Sequence, residues 1–173
     1  IVKMNYESAE ITKISINLLL ASTITTSNIL SELCEVNNAN WSDIIPAIKL
    51  DKRIGKFSYI NPGLGISGGN IERDIVTTLK LSKNKTPPKA LLKSLIQNSK
   101  YMKDWVYRLI MKNKLLSLNK KSNIGIIGAA YKENTNSIKN SPFLEFVKKI
   151  NNVNKIFVFE PMIKINFKRK NII

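Results

Sequence analysis

Residues 8 to about 36 carry a continuous helical pattern, and its length limits the possible folds more than any other feature of the chain. Ile11, Ile14, Leu18, Ile24, Leu30 and Leu33 recur at helical spacing, Ser8 is suited to the N-cap, and Glu10 favours the positive end of the dipole. At 1.5 Å per residue such a helix is roughly 40 Å long. That exceeds the width of a small domain, so the helix is expected to run through an interface or to span two lobes. Asn37 and Asn38 end it, and Asn40 or Ser42 then caps a short helix through Ile44, Ile45 and Ile48. From Asp51 to Asn70 the chain reads as loop, with Pro62 and four glycines between 63 and 69, and a third helix is expected from about Ile71 to Leu81.

Thr86-Pro87-Pro88 is a helix-start signal, and the spacing predicts one helix from there to about Lys114 through Leu91, Leu95, Met102, Trp105, Leu109 and Ile110. The pattern then changes. Asn123 to Gly128 reads as a short buried strand, Ser141-Pro142 starts a helix through Val147, and Lys155 to Glu160 reads as a second strand closed by Pro161. Strand, helix, strand is a βαβ unit, too small here for a complete sheet. The expected fold class is therefore α plus α/β: an all-α domain over 1–117, then an incomplete Rossmann-like α/β domain over 118–173.

Composition removes several chemistries. The 173 residues contain no histidine and one cysteine, Cys34, which excludes Ser-His-Asp and Cys-His sites, His-based zinc and any disulfide framework within the sequence. No metal site is expected. The apolar stretch from Ile14 to Leu30 is interrupted by Ser15, Asn17 and further hydroxyl residues, which makes a poor membrane span, and no signal-peptide pattern opens the chain. A cytoplasmic setting follows as the expectation. The net charge of +16 points towards nucleic acid, but it comes from 24 lysines against 4 arginines, beside 21 Asn and 26 Ile. These are residues with codons made mostly of A and T, so the bias reads as genomic and no nucleic-acid partner is expected. The longest basic run lies at Lys164 to Lys170. The sequence opens at Ile1 with its first Met at position 4, and reads as a fragment.

Several residues suit site chemistry. Lys13 and Asn17 are four apart on one helix, so they share a face and can hold an ammonium and an amide against an oxygen that becomes negative; they can equally be solvated surface residues. The Arg53 guanidinium can grip an anionic or polyhydroxyl ligand, or pair with Asp51. The glycines of 63–69, among them Gly65 and Gly68, can approach a ligand closely or form a flexible turn. Asp74 can act as a base or orient water, or serve the helix dipole. Lys132 and Thr135 follow a strand, where ligands bind in open α/β sheets.

Taken in order, Ser8-Ala9-Glu10, Lys13, Asn17, Asn28, Glu32 to Glu35, Asp51 to Gly55 and Pro62 to Gly65 resemble the central domain of the nucleotide-sugar dehydrogenases, the family of UDP-glucose and GDP-mannose 6-dehydrogenases. Gly128, Tyr131-Lys132, Thr135 and Ser141-Pro142 are similar to that family's nucleotide-binding C-terminal domain, and Glu160-Pro161 stands where it usually has Asp-Pro. The resemblance implies an enzyme that oxidises the C6 hydroxyl of a nucleotide-linked sugar to a carboxylate with two NAD+, in a homodimer. It implies oxyanion-stabilising roles for Lys13 and Asn17, a role for Asp74, and substrate contacts for Arg53, often in the neighbouring subunit, for the glycine loop at Gly65 and Gly68, and for Lys132. Arg73 stands on the family's usual lysine and is placed with the cofactor. The family's NAD domain has no counterpart here, since no strand followed by G-x-G-x-x-G opens the chain. The sequence departs from the pattern at one decisive place: the catalytic cysteine position is Asn70, whose amide is not a competent nucleophile. Cys34 lies about 31 Å from Lys13 along a continuous helix and cannot replace it. The alternatives are a cysteine-free oxidation, a stop at the aldehyde, or a binding or scaffold protein without redox chemistry.

Overall fold

The computed structural model describes residues 1–82, 86–115, 122–150, 153–163 and 172. The basic run of 164–170 lies outside the described residues. The chain divides into two compact units, Ile1–Ile66 with Asn70–Met102, and Ser67–Gly69 with Lys103–Ile173.

The first unit is helical. Helix α1 spans Tyr6–Val36, so the long helix forms, but its N-cap is Asn5 and not Ser8. The Asn5 side chain accepts from the Ser8 backbone N–H at 3.0 Å; Asn caps as well as Ser, and the exposed residues 6–10 offer no apolar signal to choose between them. Asn37 ends α1, and α2 (Trp41–Leu50) begins at Asn40, whose side chain accepts from the Ser42 N–H. Helix α3 covers Asn70–Leu81 and α4 Thr86–Lys103. One core joins Leu18 and Ala21 of α1 to Ile71, Ile75 and Leu79 of α3 and to Leu92 and Leu95 of α4. Ala21 and Ile75 are fully buried, and the small side chain of Ala21 lets α3 come close to α1. A second cluster packs Cys34 and Trp41 on Ile60, with Leu30, Ile44 and Ile48 around them.

Polar interruptions do not disqualify α1 by the measures of length and composition. Helix α1 contains an 18-residue window of mean hydropathy 1.3, which satisfies length and composition for a membrane crossing and no more. Core helices of soluble proteins have the same properties, and α1 contributes Ala21, Thr25, Ser27, Asn28 and Cys34 to the interior of this unit.

The single helix expected over 86–114 is two: α4 ends at Lys103 and α5 runs Trp105–Lys112, with Asp104 between them. The apolar spacing continues across the break because each segment buries its own face. Leu92, Leu95 and Met102 of α4 are buried, whereas Val106, Tyr107 and Ile110 of α5 pack in the second unit.

That second unit pairs β1 (Ser122–Ile127) with β2 (Val153–Phe159) in parallel, Ile124 opposite Ile156 and Ile126 opposite Val158. Helix α6 (Pro142–Lys149) connects them, started by Ser141, whose hydroxyl accepts from the Phe143 N–H. Alternation sends Ile124, Ile126, Ile156 and Val158 into a core with Phe143, Phe146, Val147 and Ile150. Gly125, Ile127, Phe157 and Phe159 face the other way and are exposed.

Candidate active site

Lys13, Asn17 and Asp74 converge where α1 crosses α3. Asn17 Nδ2 donates to Asp74 Oδ2 at 2.6 Å, Lys13 Nζ lies 3.9 Å from the same oxygen, and Arg73 Nε donates to Asp74 Oδ1 at 3.3 Å. Asp74 is buried, whereas the Lys13 and Arg73 side chains are two-thirds exposed. The hydrogen bond from Asn17 is the main reason the Asp74 carboxyl sits below the usual aspartate range; Arg73 and Lys13 add to it, and burial works against it. The arrangement leaves Lys13 with free donors and Asn17 with a second N–H, Asn17 held by the carboxylate and Lys13 beside it. Asn70 is the first residue of α3, exposed, one turn before Asp74.

The loop leading to α3 is held by three helices of its own unit. Asn28 Oδ1 of α1 accepts from the Gly63 N–H at 2.7 Å, Trp41 Nε1 of α2 donates to the Ile60 carbonyl at 3.1 Å, and Ser99 Oγ of α4 accepts from the Ile66 N–H at 2.8 Å. Gly65 has φ +77°, and a Cβ there would collide with the Ser99 carbonyl oxygen. Its lack of a side chain thus serves the approach of the loop to α4. Of these anchors, Asn28 stands in the ordered motif set, Ser99 is marked in the sequence only as a small hydroxyl four residues after Leu95 on the buried face of α4, and no polar pattern marks Trp41.

Arg53 makes a two-pronged pair with Asp51, Nε to Oδ1 at 3.0 Å and NH2 to Oδ2 at 2.6 Å, and its side chain is exposed. Gly68, at φ +75°, donates its N–H to the Lys139 carbonyl, and a Cβ on it would stand 2.8 Å from the Tyr131 ring.

Lys132 lines a cavity of about 580 Å³ at the carboxyl ends of β1 and β2, with Gly128, Ala130, Thr135, Phe159, Glu160 and Met162. Its Nζ lies 5.6 Å from the Tyr131 ring centre. Glu160, noted from sequence only as an Asp-Pro counterpart, closes this end of the sheet: Oε2 accepts from the N–H groups of Ala129 at 2.8 Å and Ala130 at 3.0 Å, and Oε1 from Met162 at 3.0 Å. These backbone donors, Ala129 first, hold its carboxyl below the usual glutamate range. No local pattern could reveal the contacts at Oε2, since its two donors lie thirty and thirty-one residues away; only Met162 is near in sequence.

The profile of the UDP-glucose/GDP-mannose dehydrogenase family, central domain, matches residues 7–100, and the chain belongs to that family. UDP-glucose 6-dehydrogenase TuaD of Bacillus subtilis is 29% identical over 85% of this chain and 31% of its own length. UDP-glucose 6-dehydrogenase of Campylobacter jejuni is 30% identical over 97% of this chain and 42% of its own. The solved UDP-glucose dehydrogenase of Pyrobaculum islandicum superposes with a TM-score of 0.79 at 25% identity, covering 92% of this chain and 36% of that one. The chain thus spans less than half the length of these relatives.

Proposed function

We propose that this chain supplies the substrate-oxidising face of an NAD-dependent nucleotide-sugar 6-dehydrogenase, acting on the C6 hydroxyl of a UDP- or GDP-sugar. The observation that carries the reading is the convergence of Lys13 and Asn17 on the buried Asp74. In this reading the Lys13 ammonium and the free N–H of Asn17 stabilise the oxygen that becomes negative as the C6 hydroxyl loses its proton. Asp74 fixes both and orients water for the second stage. Arg53 and Lys132 bind substrate, with Gly65 and Gly68 shaping the loop beside it, and Arg73 takes the cofactor side. NAD, when bound, accepts the hydride. Among the described residues, no strand leads into Gly63–Gly69, and the N–H groups of residues 128 to 131 after β1 are occupied, so neither place is a ready cradle for its pyrophosphate. Its main holder in this reading lies outside the chain.

Asn70 at the family's cysteine position favours a second reading, a non-catalytic nucleotide-sugar-binding or dimerisation protein. The exposed α1 residues Ile16, Leu19, Ile29 and Leu33 supply an apolar face for a homodimer in either case, in a cytoplasmic setting. The deciding experiment reads the open frame for about two hundred codons upstream of Ile1, one domain's worth, and assays the encoded polypeptide for NADH formation on UDP-glucose. A strand followed by G-x-G-x-x-G together with NADH formation supports the dehydrogenase. A stop codon close to Met4, or such a domain without turnover, supports the second reading.

A further inference from the structure

In a dinucleotide-binding βαβ unit, the turn after the first strand offers its backbone N–H groups to a pyrophosphate. Here the N–H groups of residues 128 to 131, directly after β1, already have partners within the unit. Gly128 donates to the Phe159 carbonyl at 2.9 Å and Tyr131 to the Ser137 carbonyl at 3.1 Å. Ala129 and Ala130 both donate to Glu160 Oε2. The opposite side of the same peptide is also fixed, because the Ala129 carbonyl accepts from Ser141 Oγ at 2.7 Å, with both residues 1% exposed. A carboxylate of the chain itself thus sits where a dinucleotide's phosphate oxygens would, and it repels any second anion there. Among the described residues lining the cavity, Lys132 is the one cation.

We infer that Glu160 is a specificity-determining residue: it fills the anion-binding turn after β1, so the strand-end pocket accepts ligands whose charge meets Lys132 and rejects those that need the turn's amides, a dinucleotide's pyrophosphate above all. Glu160 does this as a built-in anion, and Ser141 keeps the turn from reorganising around it.

The test titrates inorganic pyrophosphate into the 15N-labelled chain and into its Glu160→Ala and Lys132→Ala variants, following amide shifts and affinity. In the unaltered chain the Ala129 and Ala130 amides stay unmoved, and whatever weak binding occurs is lost in Lys132→Ala. In Glu160→Ala those two amides move and the affinity rises at least tenfold. Pyrophosphate shifting Ala129 and Ala130 in the unaltered chain, or a folded Glu160→Ala that binds no more tightly, overturns the inference. If Glu160→Ala does not fold, Glu160→Gln decides, since it keeps an amide acceptor and removes the charge: a gain of threefold or more supports the inference and an unchanged affinity overturns it. None of these readouts depends on dehydrogenase activity.

Discussion

Asn17 and Asp74 are 57 residues apart in sequence and 2.6 Å apart across the crossing of α1 and α3. The amide supports a buried carboxylate, so removing it leaves a charge short of a partner. Asn17→Ala is expected to destabilise the helical unit by about 1.5–3 kcal/mol, the range for hydrogen bonds to charged groups. Urea unfolding monitored by the fluorescence of Trp41 and Trp105 measures it, and an unchanged midpoint would separate Asn17 from the stability of the crossing.

Acid should weaken the same contact. Asp74 and Glu160 both titrate below their ordinary ranges in the folded chain, so each contributes stability that is complete above about pH 5 and is lost as pH falls through the folded value. Unfolding midpoints measured from about pH 7 downward should begin to drop below about pH 5. Asp74→Asn should show a shallower drop than the unaltered chain, and parallel curves would remove Asp74 from the linkage.

Lys13→Ala tests the proposed chemistry. In the polypeptide that forms NADH, turnover should fall by orders of magnitude while UDP-glucose affinity changes little, because the ammonium acts on charge that develops only during reaction. Equal loss in both quantities would make Lys13 a binding residue.

A thiol placed at position 70 would report the electrostatics of the α3 terminus. Asn70→Cys puts it at the first residue of a helix that carries Arg73 in its first turn, where thiolates are favoured. Iodoacetamide at neutral pH should alkylate Cys at 70 at least tenfold faster than the buried Cys34, as read by peptide mass spectrometry. Comparable rates would mean the terminus does not favour an anion.

Gly65→Ala should cost about 1–3 kcal/mol or more, since a Cβ meets the Ser99 backbone, which cannot swing aside as a side chain could. Thermal melting of the two chains side by side reads this directly, and equal midpoints would mean that the loop moves away from α4 at no cost.

The sequence made the local features legible and left the distant ones hidden. Helix α1, the short α2, the glycine loop, both strands and the Ser141-Pro142 start are all written in periodicity and punctuation within a few residues. The break at Asp104 is not, because Met102, Trp105 and Leu109 keep helical spacing across it and no glycine or proline marks it. The meeting of Lys13 and Asn17 with Asp74 was accessible only through an ordered motif set, since nothing local to α1 names its partner on α3. The tethers from Asn28, Trp41 and Ser99, and the clamp by Glu160, join side chains to backbone groups 19 to 35 residues away. Backbone groups are the same at every position, so they leave no trace in composition.

Helix α1 carries Lys13 and Asn17 near one end and Asn28, the anchor of the Gly63 loop, three turns further on. Each residue added to a helix turns everything beyond it by about 100° and advances it by 1.5 Å. A single codon gained or lost between 17 and 28 would aim the two anchors in different directions, even though every side chain remained. Natural variation in this stretch should therefore proceed by replacement, with insertions and deletions confined to lengths close to whole turns.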